Sequence, residues 1–406
     1  MIRRSLRRST RNRIIRVVFL AFITYSLVDL LLFSSRRAHT PLLSPYKPNT
    51  SQDPEKIFIA SIHWNNEVVI RSNWTASLLA LAKELGEKNI FISIYESGSW
   101  DGTKGALREL DKQLEAFGVA RQVTLSERTH KDELEAPIGD GWVETKRGRK
   151  ELRRVPYLAN LRNKAMDPLA KMPQADRRLY GKVLWINDVV FTVEDVLELL
   201  GTREGEYAAA CSMDFSKPPV YYDTFALRDS DGHEAVSTTF PFFRSQPSRD
   251  AMVQGQPVPV RSCWNGMIAF DAEPFVSMEP LQFRGVKDSL AKSHLEGSEC
   301  CLVHYDNPLS GQKGIWLNPN VRVGYTSDAY KKVHSSNGAW PSLAEAYMGT
   351  GWNRLARWVS TDKIKIRAVH NRVVEWQTSG KARFEPGVEC LINEMQVLVE
   401  NGWAHV

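Results

Sequence analysis

From residue 57 onward, short strand-like apolar runs alternate with segments whose apolar positions recur every three or four residues. "IFIASI" (57–62), "NIFISIYE" (89–96), "RQVTL" (121–125) and "KVLWIND" (182–188) have the length and composition of strands in a covered sheet. "RSNWTASLLALAKELG" (71–86) and "TKGALRELDKQLEAFG" (103–118) carry helical spacing, and each closes on a glycine. Helices over 156–172 and 193–200 continue the alternation, and the second is opened by a Thr192-x-x-Asp195 capping box. The alternation predicts an α/β fold, a mostly parallel sheet with helices on both faces. Ligands of such sheets bind beyond the carboxyl ends of the strands.

Three stretches break the rhythm. Segment 128–154 is charged and contains glycines, which predicts an exposed loop. Residues 213–262 are rich in Pro, Asp, Ser and aromatics with little periodicity, the mark of a functional irregular segment rather than a disordered one. Beyond 330, "AEAYMGTGWNRLARWV" and "VECLINEMQVLVENGW" predict helices packed on the domain, and "KIKIRAVHNRVVEWQ" an edge strand.

The amino-terminal end is of another kind. From Ile14 to Phe33 only Arg16 and Asp29 are charged, and this run follows a basic tail over 1–13. Twenty helical residues span about 30 Å, enough for a bilayer core. Seven Arg at or before position 16 against Arg36 and Arg37 after it put the amino terminus in the cytosol and the body across the membrane. A proline-rich stem over 34–56 would link this signal anchor to a folded domain over 57–406. That domain divides into halves of about 57–212 and 213–330, followed by a packing region over 331–406.

Charge and cysteine content narrow the picture. The net charge is +6, but residues 1–37 contribute +8, so the rest of the chain is slightly acidic and offers no nucleic-acid footprint. The triplets at Asn49 and Asn73 are glycosylation acceptors if lumenal. Five cysteines leave at least one unpaired, without fixing the pairing, and none has the spacing of a structural zinc site. No G-x-G-x-x-G opens a helix, and no P-loop or G-x-S-x-G elbow occurs.

The candidate chemistry lies in the loops after the strands: "HWNNE" (63–67), "ESGSWDGT" (96–103), "SERTH" (126–130) and "ND" (187–188). Their polarity suits a nucleotide or a hydroxyl-rich ligand. Asp188 precedes the capping box by four residues, so it is no helix cap. A plain turn and a metal ligand both remain open for it. A hard divalent cation takes one or two protein carboxylates together with diphosphate oxygens, and stabilises charge on a departing nucleoside diphosphate.

"ESGSWDGT", "LANLRNKAMDPL" and "LWINDVVF" resemble the segments that hold nucleotide and metal in glycosyltransferases of the GT-A type. More narrowly, residues 57–328 resemble the fungal capsule-associated family (glycosyltransferase family 69) through "FIASIHWNNE", "YYDTFALRDSDG", "CWNGMIAFDAEPF" and "SECCLVHYDN". The resemblance implies a Rossmann-like GT-A fold and a type II Golgi membrane protein. It also implies a GDP-mannose donor, a mannoside acceptor joined by an α-1,3 linkage with retention, and a divalent metal such as Mn²⁺. Asn187-Asp188-Val189 departs from the D-x-D pattern, so Asp188 needs a second ligand, for which His304 is the candidate. Asn66, Glu67, Glu96, Asp101 and Asn187 then fall to the nucleotide, and Arg162 to phosphate or a structural carboxylate. Glu299, Asp223 and Asp271 are the carboxylates for the catalytic or acceptor side, with Trp264 and Asn265 as an acceptor platform. Two alternatives keep the fold and change the function: a transferase for another nucleotide sugar, and a catalytically silent glycan-binding or polysaccharide-export factor.

Overall fold

The computed structural model describes residues 12–28, 31, 55–334, 340–360, 362–381 and 383–406. Asn49, most of the basic tail and the stem, and the end of the expected anchor lie outside them. Residues 12–28 are helical, and among the described residues no helix is long and apolar enough to cross a membrane.

Among the described residues, ten strands build one sheet: β1 (Lys56–His63), β2 (Ile90–Glu96), β3 (Ala120–Leu125), β4 (Tyr180–Ile186), β5 (Ala209–Lys217), β6 (Val220–Tyr221), β7 (Arg228–Asp229), β8 (Val258–Ser262), β9 (Met267–Asp271) and β10 (Ile315–Gly324). Their order is β3-β2-β1-β4-β9-β5-β10-β8-β7, with β6 on β5. The run from β3 to β4 is parallel, as is β10 on β5, whereas β9 runs antiparallel between β4 and β5. Parallel pairing dominates the sheet as expected, and its antiparallel strands make it mixed. The cause is the irregular stretch after β5, which brings the chain back from the opposite end.

Alternation along each strand feeds two cores. Phe58, Ala60, Val183 and Trp185 face one cluster, covered by α3 (Arg154–Lys171) through Tyr157, Leu161 and Ala165. Ile57, Ile59, Leu184 and Ile186 face the other. There they meet α1 (Thr75–Leu85), α2 (Thr103–Ala116) and α4 (Val193–Leu200). The Thr192/Asp195 capping box is present as expected.

Elsewhere the chain departs from its pattern. The expected loop 128–154 holds a short helix, His130–Leu134, and a hairpin of Trp142–Glu144 with Lys150–Leu152. Short-range turn chemistry there outweighs the charge density. The expected edge strand near 363–377 is instead part of helix Asp362–Thr378, and the expected final helix is a set of short strands, Leu391–Ile392, Gln396–Val399 and Gly402–His405. Disulfides Cys211–Cys263 and Cys301–Cys390 tie β5 to the end of β8 and the late strands to the domain, leaving buried Cys300 free.

Gly266 lets the strand ends converge. It sits at φ +87°, and a Cβ there would lie 2.5 Å from Val323 Cγ2 and 3.2 Å from Asp214 Cβ. Gly266→Ala is expected to cost about 2–4 kcal/mol of stability from left-handed strain and overpacking together. Urea unfolding measures it, and a loss near zero would mean the strand ends have room to part.

Candidate functional site

β4 ends at Ile186, and the chain opens at Asn187-Asp188 where the sheet stops. Asn187 is held by two indoles: Trp74 Nε1 donates to its main-chain oxygen at 3.0 Å and Trp264 Nε1 to its side-chain oxygen at 3.1 Å. Asn187 is thus a framework residue that fixes the loop. Asp188 is half-buried, and Asn66 Nδ2 donates to its Oδ2 at 2.8 Å. Burial raises the Asp188 carboxyl, against its own main-chain N–H, Asn66 and the Arg162 charge.

β5 and β10 bring a second carboxylate to this end. Asp214 is fully buried. Its Oδ1 accepts from the Asp223 main-chain N–H at 3.0 Å and its Oδ2 from the Tyr325 hydroxyl at 3.0 Å. Burial, and then the charge of Asp223, pushes Asp214 up to about 8. Burial also raises Asp223, opposed by the Phe225 and Ala226 main-chain N–H groups and reinforced by Glu299. Neither Asp214 nor Tyr325 was singled out from the sequence. The signal was available, because Asp214 interrupts the apolar run "AAACSMDF" much as Asp188 ends its own.

The cation of the cluster is Arg162 on α3, 6% exposed. Its guanidinium lies 4.2 Å from the Trp264 ring centroid, and its Nε donates to Glu299 Oε1 at 3.1 Å. Burial opposes its charge, yet Cys300, Glu299 and Asp223 around it hold its pKa above the ordinary value. Its Nη1 is buried without a hydrogen-bond partner, a donor available to an anion. The structure therefore brings together Asp188, Asp214, Asp223, Glu299, Tyr325 and Arg162.

The first loops form a wall beside them. Glu96 is buried, its Oε1 accepting from the Ser99 main-chain N–H and its Oε2 unpartnered. Asp101 receives main-chain N–H bonds from Thr103 and Glu67, so it shapes its loop. Glu67 bonds the Gly102 N–H and pairs with Arg71, again a loop brace. Trp64 stacks on His130 at 4.3 Å and meets Trp100 edge-on, and Trp100 is exposed at the rim.

Beyond Asn187, Glu67 and Asp101, which brace loops rather than face a nucleotide, four further expected roles do not match the geometry. Asp271 pairs in register with Lys182, at the far end of the sheet from Asp188, and its carboxylate binds Lys313 at 2.6 Å. The antiparallel direction of β9 carries it there. Trp264 is 1% exposed and cannot stack on a sugar. Asn265 is wholly buried and donates to the Asp223 main-chain oxygen, so it positions that loop. His304, on α5 (Glu299–Asp306), donates from Nε2 to the Cys263 carbonyl at 2.7 Å and stacks on Phe270, with burial lowering its pKa to about 4. That is the setting of a neutral core histidine, and no described contact links it to Asp188. Asn73, the described glycosylation acceptor, is half-buried in a helical turn.

Among the described residues no three His, Cys, Asp or Glu side chains converge as a ready-made metal site. The donor chemistry nonetheless suits a hard cation. The cluster offers carboxylate oxygens in excess of positive charge, and Asp188 stands at the open strand end. Such an ion would take Asp188 and complete its shell with ligand oxygens.

An α/β protein with an acidic ligand site at its strand ends is the class these features define. Residues 56–306 match the family described as Cryptococcal mannosyltransferase 1, and the chain belongs to that family. It is 26% identical over 272 residues to Alpha-1,3-mannosyltransferase CMT1 of Cryptococcus neoformans, which covers 63% of this chain and only 55% of that relative. Among solved structures, it resembles a mannosyltransferase from Pyrobaculum calidifontis in complex with GDP-Man and Mn²⁺ (13% identity, TM-score 0.35, covering 91% of this chain and 87% of that one). It also resembles TarS 1-349 of S. aureus in complex with UDP (12% identity, TM-score 0.36, 68% and 63%).

Folding raises the Asp214 pKa from 3.8 to about 8, so the stability tied to its proton is complete below 3.8 and is lost as pH climbs through about 8. Asp214→Asn is expected to flatten the pH dependence of unfolding between those limits, read by urea melts at stepped pH. An unchanged slope would mean that Asp214 titrates as an ordinary carboxylate.

Proposed function

We propose that this chain is a membrane-anchored glycosyltransferase of the Golgi that transfers mannose from GDP-mannose to a mannoside, forming an α-1,3 linkage with retention. The observation that carries the reading is the clustering of Asp188, Asp214, Asp223 and Glu299 around Arg162 at the strand ends. Family membership supports transfer chemistry, and the name of the cryptococcal relative supports mannose and the linkage. The two disulfides suit an oxidising lumen.

In this reading the nucleotide lies along the first loops, with the unpartnered Glu96 Oε2 and the Trp64–Trp100 wall at its base. Asp188 would hold a divalent ion such as Mn²⁺, which when bound neutralises charge on the diphosphate. Arg162 directs its free Nη1 at a phosphate oxygen while Trp264 and Glu299 fix its plane. Asp223, half-buried beside the cluster, faces the reacting sugar as nucleophile or as the acceptor's partner. Glu299 is committed to Arg162 and positions it.

The test is transfer of mannose from GDP-mannose to an α-mannoside, with Mn²⁺ or with EDTA, beside an Asp188→Ala protein shown to be folded. Mn²⁺-dependent transfer that falls at least about a hundredfold in the variant is expected, the order of effect for removal of a main electrostatic group. Transfer unaffected by both EDTA and the substitution would assign Asp188 to the turn alone. No transfer from any GDP- or UDP-sugar by folded wild-type protein would favour a silent glycan-binding role.

A further inference from the structure

Helix α6 (Leu343–Val359) is amphipathic in an inverted sense. Its inward face is small or polar: Ala346 and Gly349 pack on the domain, and Asn353 Nδ2 donates to the Phe243 carbonyl at 3.2 Å. A Cβ on Gly349 would lie 2.0 Å from the Phe240 carbonyl oxygen, so the helix sits too close to admit larger residues there. Its large apolar side chains point the other way. Met348 is 65% exposed, Trp352 59%, Trp358 78% and Val359 70%. Ile364 and Ile366 at the start of α7 (Asp362–Thr378) extend the patch. Soluble domains seldom leave so many large apolar groups contiguous in water.

Two features identify what covers the patch. The first is continuity with the amino-terminal helix. Residues 12–28 expose apolar side chains all round, including Ile15, Val18 and Phe19, as only a helix meant for an apolar surrounding does. Arg354 of α6 lies 4.2 Å from the Tyr25 ring centroid, and a cavity of about 870 Å³ is lined jointly by Phe22, Tyr25 and Ser26 with Ala346, Trp352 and Trp358. The second is composition. Residues 343–367 hold five Lys and Arg against two Asp and Glu, and Lys365 and Arg367 are exposed beside the isoleucines. Indole rings flanked by long cationic side chains suit the boundary between acyl chains and anionic headgroups.

We propose that the outward face of α6, with the first turn of α7, seats on the interface of a phospholipid bilayer, so that the domain lies on the membrane beside its amino-terminal helix. The surface then fixes the orientation of the strand-end site relative to the bilayer, whatever reaction that site performs. Nothing in this seating depends on the donor or the acceptor.

The test uses the full chain in vesicles of phosphatidylcholine with a minority of phosphatidylserine. One nitroxide is attached through Trp358→Cys and, in a separate protein, through Glu127→Cys on an exposed loop, with unlabelled wild type checking that buried Cys300 does not react. Collisions of the label with oxygen and with a water-soluble nickel chelate are compared. The expected result is an oxygen-to-nickel ratio several-fold higher at 358 than at 127. Equal ratios at the two sites overturn the proposal, as does a chain that fails to co-float with the vesicles. Spin–spin broadening between labels at 358 overturns it in favour of a second copy on that face. Position 358 is exposed, so the substitution leaves the fold intact, which circular dichroism of both proteins checks.

Discussion

The structure turns on an imbalance of charge. Asp188, Asp214, Asp223 and Glu299 stand at the ends of the strands around a single buried guanidinium, Arg162. Removing charge from water is costly unless it is paired, and the pairing here is incomplete. Two outcomes follow from that deficit. Asp214 keeps its proton into the neutral range, and the remaining groups favour any ligand that brings positive charge or accepts a hydrogen bond. A cation together with a diphosphate meets both needs, since the ion answers the carboxylates and the phosphates answer the free Nη1 of Arg162.

The rest of the fold holds that imbalance in place. The ends of β4, β5 and β10 can converge because Gly266, just before β9, has no side chain between them. Trp264 has a framework role there: its ring supports Arg162 and its N–H fixes Asn187. Asn265, at φ +58°, anchors the loop that carries Asp223, and the Cys211–Cys263 bridge lies at the base of the same corner. The "SCWNG" stretch is thus support for the carboxylates rather than a surface for sugar.

Much of this was legible in the chain. The parallel half of the sheet follows from apolar runs and helical spacing, because β1, β2 and β4 are buried on both faces. Asp188 was legible as a carboxylate that ends an apolar run, whereas Arg162, Asp223 and Glu299 followed from the family resemblance. What escaped depends on direction and partners that one-dimensional patterns do not carry. Asp271, expected on the catalytic or acceptor side, ends an apolar run as Asp188 does, and only the reversed direction of β9 sends it to the opposite end of the strands. His304 and Trp264 were misassigned because burial depends on which helix lies above them. Asp214 was passed over because its strand borders the irregular stretch, where alternation fades. The late segment read as an edge strand folds as a helix through contacts such as Val369, Val373 and Trp376 against the core, spaced for a helix once seen in place.

In the proposed function the carboxylate cluster and Arg162 together receive a metal-bound nucleoside diphosphate. Calorimetric titration of the wild-type protein with GDP, with and without Mn²⁺, tests it most directly, beside an Arg162→Lys protein that keeps the charge and loses the planar donor. Binding is expected to require Mn²⁺ and to weaken at least about tenfold in the lysine protein, a loss of about 1.4 kcal/mol. GDP binding of equal strength with or without the metal, unchanged by the substitution, would contradict it.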